Sequence, residues 1–321
     1  MGFFLYMEVL FMAVPVVCFV SYNRLGVTAS NLDTLLKTED DFELYIVDNF
    51  SMENNWDYIM SLKDERIKEI KRFRKNYGSI CAINYGLSHR DEKQSFVHIE
   101  NDVSILDKNW VKKFEHTQDT FPELALIGAV SKGYIESLKR RFPISESINM
   151  DSEWILKNKN VLILKPMSRN NITTYFFPNI LGNINYMTPN ILKHVGYWSE
   201  EVYGGDAEMC GRINRFTEYY TAITTNFYID IIDFISCNQC IAQDYCSYDK
   251  KIDGQCCQEY LKKKSVSYTP FYKQQNVKTN EFLDKIKDKS RSLYCASIHD
   301  AESMINNQYD YENSINNFNR F

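Results

Sequence analysis

Apolar and polar positions along the first 130 residues fall into blocks whose period switches between two and 3.6. Val14–Val20 is a short, β-rich apolar run followed by a polar turn, which predicts a buried strand. Ala29–Lys37 puts Leu32, Leu35 and Leu36 on one face and predicts a helix. Phe42–Val47 predicts a second strand, ending at Asp48-Asn49. Trp56–Leu62 and Asp64–Ile70 have helical spacing, and Ile70–Phe73 holds a short strand. Ser79–Ser88, preceded by Gly78, predicts a helix, and Ser95–Ile99 a strand that runs into an acidic cluster. A helix begins over Asn109–His116, and Leu124–Val130 is a strand. This alternation implies an α/β fold with a mostly parallel sheet covered on both faces. Ligands of such sheets bind at the carboxyl ends of the strands. Residues 131–180 are less regular, with a strand over Val161–Lys165, and Asn226–Ile229 is another strand. Beyond about residue 235 a Cys-rich stretch precedes a polar tail, with patchy helical spacing around Phe282, Leu283 and Ile286.

Composition narrows this picture. At 321 residues the chain is one large domain, or one domain plus an appendage. A hydrophobic fraction of 44% is enough for a full core. A net charge of −5 argues against gripping nucleic acid over a broad surface, because that binding needs Lys and Arg to neutralise phosphates. Met1–Val20 is apolar apart from Glu8, yet no basic residue precedes the run and no small-residue cleavage site follows it. The expectation is a strand, with no stable membrane span and no secretory signal. Of nine cysteines, Cys18, Cys81 and Cys210 lie in apolar or helical patterns and read as core residues. A reducing, cytoplasmic compartment is expected.

The candidate chemistry sits at strand ends. Ser21-Tyr22-Asn23-Arg24 follows the first strand and Asp48-Asn49-Phe50-Ser51 the second. Asp48 can accept a hydrogen bond from a base or ribose, or it can cap a helix. Asn76-Tyr77-Gly78 and Asn84-Tyr85-Gly86 are two Asn-x-Gly units whose small residues allow backbone to approach a ligand or a neighbouring element. His98-Ile99-Glu100-Asn101-Asp102 ends a strand in two carboxylates spaced i, i+2, which point the same way in extended chain. Such a pair suits Mg²⁺ or Mn²⁺, hard cations that share oxygen ligands with substrate phosphates. Later, Ile191–Trp198 leads to Tyr203-Gly204-Gly205-Asp206-Ala207-Glu208 and Arg212. Glu208 and Arg212 have the i, i+4 spacing of a helix-surface ion pair.

In this order the pieces, over roughly residues 14–215, resemble the GT-A glycosyltransferases, especially family 2. The resemblance implies a GT-A, Rossmann-like fold over residues 1–235, with a nucleotide-sugar half at about 12–130 and an acceptor half at about 131–235. Residues 236–321 form a small Cys-containing, helical or irregular extension. By the same resemblance Ser21, Tyr22 and Arg24 line the nucleotide pocket and Asp48 binds the base, with UDP favoured because uracil offers an N–H to a carboxylate. Asn76 and Asn84 lie near the nucleotide or support its loop, and Asn101 lies near the nucleotide. Asp102, with Glu100 in place of the family's first acid, ligates Mn²⁺ or Mg²⁺, and Asp206 is the catalytic base of an inverting transfer or, alternatively, the N-cap of the helix that follows. Gly182, Gly205 and Glu208 face the acceptor, and Trp198 or Tyr203 either stacks on a sugar ring there or packs in the core. The sequence departs from the family at one point. No His falls between His194 and His299 to complete the metal ligands, which leaves Asp230, Asp233 or water to do so.

Cys237, Cys240, Cys246, Cys256 and Cys257 include a Cys-x2-Cys knuckle and are candidates for a structural Zn²⁺, without the usual spacing in their second half. Unpaired thiols, or disulfides in an exported protein, are the alternatives. The acceptor is open among glycan, protein and, as in phage enzymes, a modified base in DNA, for which Lys139-Arg140-Arg141 and Lys262-Lys263-Lys264 are basic patches. A non-catalytic nucleotide-sugar-binding module is the remaining alternative.

Overall fold

The computed structural model describes residues 13–74, 78–91, 93–145, 163–180, 183–195, 197–198 and 205–231. The chain order is β1 (Val16–Ser21), α1 (Leu25–Leu36), β2 (Glu43–Asp48), α2 (Glu53–Ser61), β3 (Ile67–Arg72) and α3 (Ser79–Leu87). Then follow β4 (Phe96–Glu100), β5 (Val103–Ser104), α4 (Trp110–Thr120), β6 (Leu124–Gly128), α5 (Lys132–Arg141), β7 (Lys165–Arg169) and β8 (Ile172–Phe176). The last described elements are β9 (Ile184–Met187), α6 (Pro189–Val195), α7 (Gly205–Phe216), β10 (Tyr220–Thr224) and β11 (Asp230–Ile231).

Nine strands form one sheet in the order β3-β2-β1-β4-β9-β6-β10-β8-β7. β9 runs against β4 and β6, and β8 against β10 and β7, so the other seven point the same way. This is the α/β class expected, with a mostly parallel sheet. The period of two divides β1 between two cores. Val16, Cys18 and Val20 pack with α3, α5, α6 and α7, whereas Val17 and Phe19 pack with α1, α2 and α4. Helices therefore cover both faces, which is why β1 is apolar from Val16 to Val20 and buried at all six positions.

The helix expected over Asp64–Ile70 is instead the edge strand β3. Its pairing with β2 slips by one residue, from Leu44↔Ile67 to Tyr45↔Glu69 and Ile46↔Ile70. That bulge puts Ile67 and Ile70 on one face, an i, i+3 spacing that imitates a helix. The intervening Lys68, Glu69 and Lys71 suit an edge, where charge blocks pairing with another chain. Residues 132–141, read as irregular, form α5, with Ser131 as N-cap accepting from Tyr134 N at 3.2 Å. The strand placed at Asn226–Ile229 lies earlier, as β10. The strand expected over Val161–Lys165 meets the structure only at its end, where β7 starts at Lys165. Cys18, Cys81 and Cys210 are buried and form no disulfide. Residues 1–12 and the extension from 232 onward, with Cys237, Cys240, Cys246, Cys256 and Cys257, lie outside the described residues. Among the described residues no helix is long and apolar enough to cross a membrane.

Candidate functional site

The carboxyl ends of β1, β2 and β4 are adjacent in the sheet, with Ser21 opposite Asp48 and Val20 opposite Glu100. Three motifs scattered over 80 residues thus meet along one edge. The β1–α1 connection is tight: Asn23 and Arg24 both have left-handed backbone, at φ 53° and 58°. Arg24 is nearly buried and its Nη1 lies 3.4 Å from Asp102 Oδ2. The sequence put Arg24 in the nucleotide pocket; the structure pairs it with the second acid of the acidic cluster.

Asn101, expected near the nucleotide, is bonded into the fold. Its Nδ2 donates to Thr28 Oγ1 at 3.1 Å and to the carbonyls of Asn23 and Tyr22 at 3.3 and 3.5 Å, and its own carbonyl accepts from Asn31 Nδ2 at 2.8 Å. Its amide is committed to binding β4 to the β1–α1 loop, which leaves Glu100 and Asp102 on either side of a fixed point.

Glu100 is only partly exposed, and its pKa is pushed up to about 8. Burial is the main cause, the charges of Asp102 and Asp206 add to it, and Arg24 opposes them. Asp206, in the first turn of α7, lies more than a hundred residues further along the chain, so the fold brings Asp102, Asp206 and the Arg24 guanidinium within electrostatic reach of Glu100. Asp102 and Glu100 bring hard oxygen donors and an excess of negative charge, which fits a divalent cation. Among the described residues no three His, Cys, Asp or Glu form a ready metal cluster. After β10 the chain returns to this place: β11 pairs with β5, setting exposed Asp230 opposite Ser104, two residues past Asp102. Asp233 is outside the described residues.

Asp48 is fully buried. Its Oδ2 accepts from Ser51 N at 3.0 Å and lies 3.6 Å from Arg72 Nε, while its Oδ1 has no hydrogen bond of good geometry. Burial raises its pKa, opposed by Ser51, Arg72 and Asn55. Asp48 does not cap a helix, because the N-cap of α2 is Met52. Arg72 is a neighbour that sequence reasoning missed. It ends β3 opposite Asp48, within the short strand expected at Ile70–Phe73, and only the pairing of β3 with β2 brings it to the carboxylate. Ser21, also fully buried, accepts from Asn55 Nδ2 at 3.0 Å and so supports the loop from below. Tyr22 is partly exposed beside it.

Three further candidate site residues are engaged in the packing of the fold. Asn84 Oδ1 accepts from Trp198 N and its Nδ2 donates to Trp198 O, both at 2.9 Å, so this side chain clasps the segment before α7. Trp198 is 2% exposed, with its ring against Phe96 and His98 at 6.0 and 5.6 Å, and is packed in the core where no sugar can stack on it. Glu208 is buried rather than on the surface. It pairs in two-point fashion with Arg212, whose Nη1 donates to the carbonyls of Val195 and Tyr197 at 2.6 and 2.7 Å. Glu208 therefore holds the arginine that anchors α6 to α7 and does not face an acceptor. Gly205 opens α7, whereas Asn76, Gly182, Tyr203 and Gly204 are outside the described residues. Of the paired glycines, Gly78 has φ 94°, and Gly86 packs against β1 so closely that a Cβ there would stand 2.4 Å from Cys18 Cβ.

The family model for "Glycosyl transferase family 2" matches residues 16–176, half of the chain. No curated protein matches in sequence. Among solved structures, the mannosyltransferase PcManGT of Pyrobaculum calidifontis, in complex with GDP-Man and Mn²⁺, is 12% identical over 66% of this chain, with a TM-score of 0.46. TarS of S. aureus, in complex with UDP-GlcNAc, is 11% identical over 68%, with a TM-score of 0.45. GalNAc-T7 with UDP, GalNAc and Mn²⁺ is 10% identical over 93%, with a TM-score of 0.49. The chain covers 57% of the length of each.

Proposed function

The chain belongs to glycosyl transferase family 2, and from that premise we propose that it moves a sugar from a nucleotide-diphosphate donor, a UDP-sugar first, to an acceptor hydroxyl with inversion. The observation that carries this reading is the meeting of Glu100, Asp102 and Asp206 beside Arg24, at the strand ends that also hold Asp48.

Asp48 accepts the uracil N–H, and Tyr22 lines the pocket. Glu100 and Asp102 are the residues that would hold Mn²⁺ or Mg²⁺, with Asp230 near enough in the chain's path to add an oxygen. Such a cation, when bound, neutralises the diphosphate as it leaves. Arg24 offsets the charge of Asp102 when the diphosphate is absent. Asp206 accepts the proton of the acceptor hydroxyl as that oxygen forms its bond to the anomeric carbon and the bond to the diphosphate breaks. Water in place of the acceptor gives slow hydrolysis of the donor. Transfer to a modified DNA base draws less support: Lys139 is held by Glu136 at 2.7 Å, and the Arg141 guanidinium lies over Phe142 at 5.2 Å.

The test is thermal unfolding with UDP, GDP, CDP and ADP, each with Mn²⁺, followed by donor hydrolysis across the matching nucleotide-sugars. UDP–Mn²⁺ raises the melting temperature by linkage. Asp102→Ala removes the metal-dependent part of that rise. Asp206→Asn keeps it and stops turnover. A chain that responds to no nucleotide is not a transferase of this kind, and unchanged turnover in Asp206→Asn removes its role as base.

A further inference from the structure

The loop between β2 and α2 contains a residue that the fold alone does not account for. Phe50 has φ 68°, left-handed backbone that a bulky side chain rarely adopts. It is also 46% exposed, whereas its neighbours Asn49 and Ser51 are buried. The loop is fixed on both sides of it. Asn49 N donates to Ser21 O at 2.8 Å, Ser51 N to Asp48 Oδ2 at 3.0 Å, and Asn23 N to Ser51 Oγ at 2.8 Å. Met52 N donates to Asn23 Oδ1 at 2.8 Å, and Arg72 Nη2 to Ser51 O at 2.7 Å. These bonds hold Phe50 in its strained conformation and keep its ring turned outward. They need nothing from the ring, so Gly or Asn would serve the backbone better. The ring's contact with the Arg72 guanidinium, at 6.0 Å, stands at the outer limit of a cation–π interaction, and Trp56 already covers that guanidinium at 5.2 Å. Strain and exposure together, beside the buried carboxylate of Asp48, are the pattern of a residue kept for a ligand.

We infer that Phe50 is a nucleoside-contacting residue whose ring stacks on the planar base of the donor nucleotide. The inference rests on the reading that the nucleotide occupies the ends of β1 and β2, and it adds an aromatic face to the hydrogen bond from Asp48. A flat base covers the exposed ring, and stacking tolerates any base, leaving the choice of uracil to Asp48.

Titration calorimetry with UDP–Mn²⁺, UMP and pyrophosphate–Mn²⁺, on wild type, Phe50→Gly and Phe50→Tyr, tests it. Phe50→Gly weakens UDP and UMP by about tenfold, the usual worth of one stacked base. It leaves pyrophosphate binding within twofold, and Phe50→Tyr restores UDP affinity. Thermal unfolding of Phe50→Gly gives a melting temperature no lower than that of wild type by more than about 2 °C, because relief of strain offsets the lost half of the ring's burial. Equal UDP affinity in wild type and Phe50→Gly overturns the inference while leaving the transferase reading intact. So does a loss that falls equally on pyrophosphate, which marks a collapsed loop. Failure of wild type to bind any nucleotide overturns both.

Discussion

Glu100 is a residue whose charge works against the fold that carries it, and replacing it with glutamine measures how much. Burial and the charges of Asp102 and Asp206 lift its pKa from 4.5 to about 8. The folded chain then binds more protons than the unfolded chain between those values, so stability falls as pH rises through this window. Each pH step costs about 1.4 kcal/mol, and the whole window about 5 kcal/mol. Glu100→Gln removes the charge while keeping the side-chain length. Without metal, the variant should exceed wild type by about 1.4 kcal/mol at pH 5.5 and by several kcal/mol at pH 8.5. For a domain of this size each kcal/mol is worth about 2–4 °C, so the gap in melting temperature widens to about 10 °C at the higher pH. The assay is thermal unfolding of both proteins in EDTA at the two pH values, repeated with excess Mn²⁺. Metal should raise wild type more at pH 8.5, where it replaces no proton, and should raise the variant little. A variant no more stable than wild type at pH 8.5, or a gap that does not grow with pH, refutes the reasoning.

Other consequences follow from the packing. Arg212→Ala leaves Glu208 as a buried, unpaired charge and should cost about 3–5 kcal/mol in urea unfolding at neutral pH; a loss under 1 kcal/mol would mean the pair is hydrated. Asn84→Ala leaves the N–H and carbonyl of Trp198 without their partner and should cost about 1–3 kcal/mol, with the UDP dissociation constant changed less than twofold, whereas a tenfold rise would return Asn84 to the nucleotide pocket. Gly86→Ala forces a Cβ to within 2.4 Å of Cys18 Cβ and should destabilise by about 1–3 kcal/mol or more, part of which Cys18→Gly in the same chain recovers.

Much of the plan was legible along the chain. The switch between periods of two and 3.6 located β1, β2, β4 and β6 and the helices between them, because burial on both faces demands apolar runs of strand length. The acids at 48, 100, 102 and 206 were visible because each follows a strand or opens a helix. The sequence also flagged the two Asn-x-Gly units, and at Gly86 the need for a close approach proved to be contact with β1.

The partners of those residues belong to the tertiary structure alone. A bulge in β3 gave Ile67 and Ile70 a helical spacing, and only pairing with β2 extends the short strand expected at Ile70–Phe73 back to Ile67 and puts Arg72 beside Asp48. Asn84, Asn101 and Glu208 are polar residues in suggestive motifs, and sequence cannot tell an amide or carboxylate that faces a ligand from one that satisfies buried backbone or a buried arginine. That choice depends on which groups the packing removes from water, since a buried polar group must find a partner. The same holds for Glu100. Its composition and position marked it as an acid, but its raised pKa comes from burial and from Asp206, more than a hundred residues away in sequence and drawn close by the fold.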